Sequence, residues 1–171
     1  MAESKEKPQN ENDANAQSGK FAVQKIYVRD ISFETPHSPE IFTEEWKPVV
    51  NMDLSTESIS INEELIDVVL TVTVTVSLGE KTAYLVEVNQ AGIFYVKDFP
   101  EEAMERLKAI VCPNMLFPFA REVVSDIVVR GGFPQLLLSP VNFEALYAQH
   151  KKQQKQNGSP QVTGSAGKTR H

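Results

Sequence analysis

The stretch Leu70-Thr71-Val72-Thr73-Val74-Thr75-Val76-Ser77-Leu78 alternates apolar and hydroxylated side chains without a break. Successive side chains of a strand point to opposite faces, so this reads as one strand with two chemically different sides. Leu70, Val72, Val74, Val76 and Leu78 form an apolar row, and Thr71, Thr73, Thr75 and Ser77 form a hydroxylated one. The β-branched content adds strand preference. The pattern predicts one buried face and one available face. Strands of a parallel nucleotide-binding sheet, covered on both sides, read instead as continuous apolar runs.

Working outward, Asn62-Glu63-Glu64 reads as the turn before this strand and Gly79-Glu80-Lys81 as the turn after it. Val49 to Ile61 and Thr82 to Val96 are the flanking strands. Phe21 to Glu34 is a further strand, with Tyr27, Ile31 and Phe33 on one side and Asp30, Ser32 and Glu34 on the other. After it, Thr35-Pro36-His37-Ser38-Pro39 opens a loop that continues through Ile41, Phe42 and Trp46 to Pro48. Its prolines are unsuited to a central ladder. Four sequential strands predict a largely antiparallel sheet, and the long loop leaves room for the first two to cross over.

Downstream the pattern becomes helical. Pro100, Glu101 and Glu102 open a helix to Val111. Pro113 is expected to stop it, and Asn114 to cap a second helix running to about Arg130. Leu116, Ala120, Val123, Val124, Ile127 and Val128 make an apolar stripe, with Pro118 in the first turn or so. Gly131-Gly132 ends this helix, and Phe143 to Gln149 forms a short last one. Strands followed by helices predict an α+β fold with the helices on one face of a four-stranded antiparallel sheet.

The 171 residues suit a single domain. Residues 1–20 are polar and read as a disordered N-terminal segment. Residues 150–171, lacking aromatics, read as a disordered C-terminal tail. That leaves 21–149 as the folded domain. No apolar run approaches the roughly 18 residues that span a bilayer, and the N-terminus has no apolar signal core. Cys112 is the only cysteine, which excludes an intramolecular disulfide and fits a reducing, cytoplasmic setting. The net charge of −6 is uneven. Residues 21–148 hold 9 basic and 19 acidic side chains, while the tail carries Lys151, Lys152, Lys155, Lys168 and Arg170 with no acid. An acidic body disfavours nucleic acid and suits a basic partner, or simply solubility.

Catalytic constellations are missing. His37, His150 and His171 have no ligand spacing, and there is no C-x-x-C pair, so no metal or cofactor is expected. Cys112 precedes a proline with no histidine nearby and reads as a buried structural thiol. Gly131-Gly132 lacks the Lys-Ser/Thr of a phosphate loop. Glu101, Glu102 and Glu105 read as a solvated helix start. The unusual feature is aromatic side chains in irregular places: Phe42, Trp46, Phe117, Phe119 and Phe133. A loop tryptophan fits either a core plug or, with several aromatics gathered around it, one wall of a groove.

Cys112-Pro113-Asn114-Met115-Leu116-Phe117-Pro118-Phe119-Ala120-Arg121-Glu122 closely resembles a segment of the SecB protein-export chaperones. Arg130-Gly131-Gly132-Phe133-Pro134-Gln135-Leu136, Pro140-Val141-Asn142-Phe143, Asp30-Ile31-Ser32-Phe33-Glu34, Ser77-Leu78-Gly79-Glu80 and Gly92-Ile93-Phe94 extend the resemblance from about Phe21 to Ala148. It implies a homotetramer, a dimer of dimers, that binds unfolded precursors in apolar grooves and passes them to SecA, the translocation ATPase. No catalysis, ATP use, cofactor, nucleic acid or direct membrane insertion is implied.

By the same resemblance, Asp30, Glu34, Leu85 and Glu87 are the SecA-docking positions. Parity agrees, because Asp30, Ser32 and Glu34 share a face, as do Leu85, Glu87 and Asn89. The implied partner segment is a basic, zinc-carrying end of SecA, so any zinc belongs to the partner. Val86, Val88 and Gln90 match positions where changes disturb tetramer assembly; Val86 stands where some members have cysteine. Phe42, Trp46, Phe133 and Tyr147 are the implied client-groove residues. Two alternatives stay open: a SecB-like chaperone dedicated to an antitoxin, and a small-ligand-binding domain using the aromatic groove.

Overall fold

In the computed structural model, which describes residues 19–157, strand β3 (Leu65–Leu78) lies between β2 (Val49–Ser60) and β4 (Lys81–Lys97). Strand β1 (Lys20–Glu34) pairs with the far side of β4, so the antiparallel order is β1-β4-β3-β2. The first two strands of the chain are therefore the two edges. The loop from Thr35 to Pro48, with a 3-10 turn at Glu40–Thr43, makes the crossover. It is tied back to β4 by His37, whose Nδ1 donates to the Thr82 carbonyl at 2.9 Å, and by the Lys81–Glu44 pair at 2.6 Å.

The alternation in β3 becomes burial. Leu70, Val72, Val74 and Val76 are 0% exposed, whereas Thr71, Thr73, Thr75 and Ser77 stay partly open. On β4 the same face carries Val86 and Val88, also fully buried. Full burial of a side chain of this size contributes about 1.5–3 kcal/mol, so this layer is the principal source of stability.

The helices cover that face, and the first of them departs from expectation. Pro113 does not stop a helix and Asn114 does not cap one. Helix α1 (Glu101–Arg106) runs through a π-helical turn, Leu107–Val111, directly into α2 (Cys112–Arg130). The π turn loosens the winding just before the proline ring, where a regular helix would bring the preceding carbonyl too close. Pro118 sits inside α2 at an exposed position. The carbonyl it leaves unpaired belongs to Asn114, also exposed and within reach of water.

Helix α2 ends in a Schellman turn. Gly132 (φ +88°) donates to the Val129 carbonyl at 3.0 Å and Phe133 to Val128 at 3.2 Å. Val128 and Phe133 are both buried, so the turn delivers Phe133 into the core.

Helix α3 (Phe143–Asn157) is twice the expected length. Asn142 caps it through Oδ1, which accepts the Ala145 N–H at 2.9 Å. The residues from His150 are good helix formers, and Lys151 is held by Glu105 at 2.8 Å. The expected disordered tail is thus corrected through Asn157. Its remainder, like residues 1–18 of the expected N-terminal segment, lies outside the described residues.

Strand β1 carries two β-bulges, at Gln24 and Arg29. Its register runs Val23↔Phe94, Lys25↔Ile93, then Val28↔Gln90, Asp30↔Asn89. Each bulge reverses the parity that follows it. Tyr27 consequently lies on the open face, paired with Ala91, and not beside Ile31 and Phe33 as simple alternation predicts.

Candidate functional site

The face of the sheet opposite α2 is polar and acidic. The ladder places Glu34 opposite Leu85, Ser32 opposite Glu87 and Asp30 opposite Asn89. The structure thus brings the four expected docking residues onto one patch over β1 and β4. The rows continue into β3 and β2: Glu87 faces Thr73, which faces Asp53, and the neighbouring row ends at Ser55. Asp53 and Glu57 of β2 point to this same face and are exposed. Sequence reasoning passed over both, although their parity in β2 marks them.

The hydroxyl row is more than a soluble filler. Thr73 Oγ1 donates to Glu87 Oε2 at 3.2 Å, and Thr71 Oγ1 donates to Asn89 Oδ1 at 2.7 Å. These bonds fix side chains that would otherwise lose rotamer freedom on meeting a partner. None of Asp30, Glu34 and Glu87 makes an ion pair among the described residues. Their charge is available to a cationic segment, with half-buried Leu85 as an apolar anchor between them.

Beside this patch lies a three-residue network. Tyr27 OH donates to Asp67 Oδ1 at 3.1 Å, and Arg29 Nη2 lies 3.4 Å from Asp67 Oδ2. Partial burial, then the neighbouring carboxylate, raises the Tyr27 hydroxyl pKa.

The aromatic residues separate into two places. The Phe133 ring lies 4.9 Å from Phe42, 5.8 Å from Trp46 and 4.8 Å from Tyr84. Tyr84 and Phe133 are buried, while Phe42 is 50% and Trp46 37% exposed. Trp46 is therefore a surface wall and not a core plug. With Ile41, Glu44 and Pro134, the side chains of Phe42, Trp46 and Phe133 line a shallow cavity of about 170 Å³. Tyr147 is elsewhere, on α3, flanked by Arg106 and Lys151 at 5.9 and 5.4 Å from its ring centroid. It borders a larger groove of about 480 Å³ between α3 and β2, floored by Leu54, Ala109 and Phe143.

Val86, Val88 and Gln90 are 0%, 0% and 2% exposed inside the single chain. Gln90 Nε2 donates to the Tyr27 carbonyl at 2.9 Å. These side chains support the sheet from within and are not part of the surface of the single chain.

Among the described residues no group of three or more His, Cys, Asp or Glu is placed to hold a metal ion, and no helix is long and apolar enough to cross a membrane. Cys112 is fully buried, and desolvation pushes its thiol up to about 12. A thiol reagent is therefore expected to label folded protein negligibly near neutral pH and to label it at once in denaturant. Rapid labelling of native protein would contradict this. The raised folded pKa also means that the thiol's contribution to stability is complete below its unfolded value near 8.5 and is lost as pH rises toward about 12.

The fold is of the SecB-like class, a four-stranded antiparallel sheet with helices on one face. A SecB-like chaperone of Mycobacterium tuberculosis, solved with a peptide from an antitoxin, shares it at a TM-score of 0.55 and 15% identity over 71% of this chain and 87% of that one. The family described as preprotein translocase subunit SecB matches residues 13–154. The protein-export protein SecB of Nitrosococcus oceani is 55% identical over 148 residues, covering 85% of this chain and 90% of its own length. Its counterpart in Methylococcus capsulatus is 54% identical over 140 residues, 82% of this chain and 90% of its own. That of Pseudomonas syringae pv. syringae is 48% identical over 154 residues, 90% and 95% respectively. The chain belongs to the SecB family.

Proposed function

We propose that this chain is a protein-export chaperone, an ATP-independent holdase that keeps precursors unfolded in the cytoplasm and delivers them to SecA. The observation that carries this reading is the separation of two surfaces. Asp30, Glu34, Leu85 and Glu87 gather on the open side of the sheet, and the exposed aromatics Phe42 and Trp46 gather around Phe133. The first suits a basic docking segment, the second an extended apolar client.

A holdase must accept many sequences, so it gains from apolar walls and unpaired strand edges, whose backbone bonds are blind to sequence. The Phe42–Trp46–Phe133 patch and the α3–β2 groove beside Tyr147 serve as two such stations. Binding an unfolded chain draws the folding equilibrium away from the native state. Fast folders escape and slow folders are held.

Assembly into a dimer of dimers adds stations and raises the effective concentration of each. An apolar stripe suited to this runs along the outside of the helix layer. Val111, Met115 and Phe119, at spacings of four, are 37%, 38% and 45% exposed. Patches of this kind on soluble proteins are commonly interfaces.

Equimolar tetramer is expected to slow the refolding of a slow-folding precursor severalfold and to leave a fast-folding one unaffected. Intrinsic fluorescence after dilution from denaturant reads this directly. Unchanged refolding of the slow precursor would remove the holdase reading.

A further inference from the structure

We propose that the β-bulge at Arg29, pinned through Asp67, is the positioning element that turns Asp30 and Glu34 toward SecA. The inference rests on the docking role proposed above. It assigns to Arg29, Tyr27 and Asp67 a task distinct from contact with the partner.

The argument begins with parity. Before the bulge, Ile26 and Val28 pair with Gly92 and Gln90 and lie on the helix side. After it, Ile31 and Phe33 pair with Val88 and Val86 on that same side, and Asp30, Ser32 and Glu34 lie on the open side. An unbroken ladder from Val28 would invert the second half. The two acids would then aim at the helix layer, and Ile31 and Phe33 would aim at water. The extra residue is what allows both halves of β1 to keep their apolar rows inward.

A bulge leaves one residue out of the ladder, so a contact made by that residue helps to fix the bulge in place. Here the bulged residue itself is held. Arg29 belongs to β1 and Asp67 to β3, so the pair spans the intervening strand β4. Tyr27 makes the same crossing to the other oxygen of the same carboxylate. The crossing is open because the residue beneath is Ala91, which is paired with Tyr27 and is 0% exposed despite lying on the open face. The Asp67 side chain is only 8% exposed, so the Tyr27 hydrogen bond and the Arg29 ion pair stand in for most of its water. The same pairing occupies the Arg29 cation, which makes no ion pair with the adjacent Asp30, so the acidic patch keeps its charge.

The test uses full-length protein and purified SecA. Arg29→Ala and Asp67→Asn are each expected to weaken SecA binding by about five- to tenfold, which lies within the range of coupled neighbours. Arg29→Lys should retain most of the affinity. Native mass and the holding of a slow-folding precursor should not change in any of them. Hydrogen exchange across Asp30 to Glu34 should accelerate in the two weakened variants only.

Tighter SecA binding by Arg29→Ala would overturn the proposal, because Arg29 would then act as a counter-charge on the patch. Unaltered affinity and exchange in both variants would overturn it as well. Should Asp67→Asn fail to fold, the Arg29→Ala and Arg29→Lys pair decides alone. If reversing the charge of Asp30 and Glu87 left SecA binding intact, the docking role itself would fail. The exchange data would then still decide whether Arg29 orders the segment.

Discussion

Reversing two charges, with Asp30→Lys and Glu87→Lys in one chain, is expected to weaken SecA binding by about a hundredfold or more while client holding stays as in the parent protein. Each reversal both removes an attraction and installs a repulsion toward a basic segment, and like charges brought together across an interface cost several kcal/mol. The sites are well suited to such a change. Asp30 is exposed on the edge strand, and Glu87 is half-buried with a single hydroxyl partner, Thr73. Neither has an ion-pair partner among the described residues whose loss would unsettle the fold. Titration calorimetry with SecA, beside refolding delay of a slow precursor, separates the two functions. A variant that lost both would show that docking and holding share a surface.

The second large effect concerns assembly. In the proposed tetramer, Met115→Glu together with Phe119→Glu is expected to raise the dissociation constant by about a thousandfold, since apolar anchors at interface centres carry 2 kcal/mol or more each. Both side chains lie on the outside of α2, so the subunit fold should survive with its thermal transition little changed. Native mass spectrometry at micromolar concentration reads the outcome. A full tetramer in this variant would place the subunit contact elsewhere. The contrast with Val86, Val88 and Gln90 is instructive: those residues are sealed within one chain, and changes there are expected to cost stability as well as assembly.

The Leu70–Leu78 alternation was legible because a strand buried on one side writes its period directly into hydrophobicity. The turns at Asn62–Glu64 and Gly79–Lys81 and the acidic parity of Asp30, Ser32 and Glu34 followed in the same way, the last because that segment lies beyond the final bulge. Strand order was not legible, since the 14-residue loop joins the two edge strands and β1 pairs with the distant β4, which leaves no local pattern. The bulges did leave one. The helix-side residues of β1 are Phe21, Val23, Ile26, Val28, Ile31 and Phe33, at spacings of two, three, two, three and two. Simple alternation cannot read that rhythm, and it set Tyr27 on the wrong side. Pro113 misled because the compensating π turn is a property of the backbone and not of residue type. The reach of α3 was hidden because its second half is stabilised by Glu105, nearly fifty residues earlier in the chain. The aromatics expected to share one groove do not share it, for Tyr147 borders a different cavity from Phe133.

The order β1-β4-β3-β2 also has a consequence for birth on the ribosome. The first strand made is the last to find its partner: Glu34 must wait for Leu85, and Lys20 for Lys97. At the usual pace of synthesis that is an interval of about three to fifteen seconds. Throughout it the nascent chain trails an unpaired extended segment, the same condition in which it meets its clients. Lys25, Arg29, Asp30 and Glu34, spread along it, make that segment a poor template for aggregation. A protein that guards other unfinished chains thus carries, in its own first strand, the means to survive being unfinished.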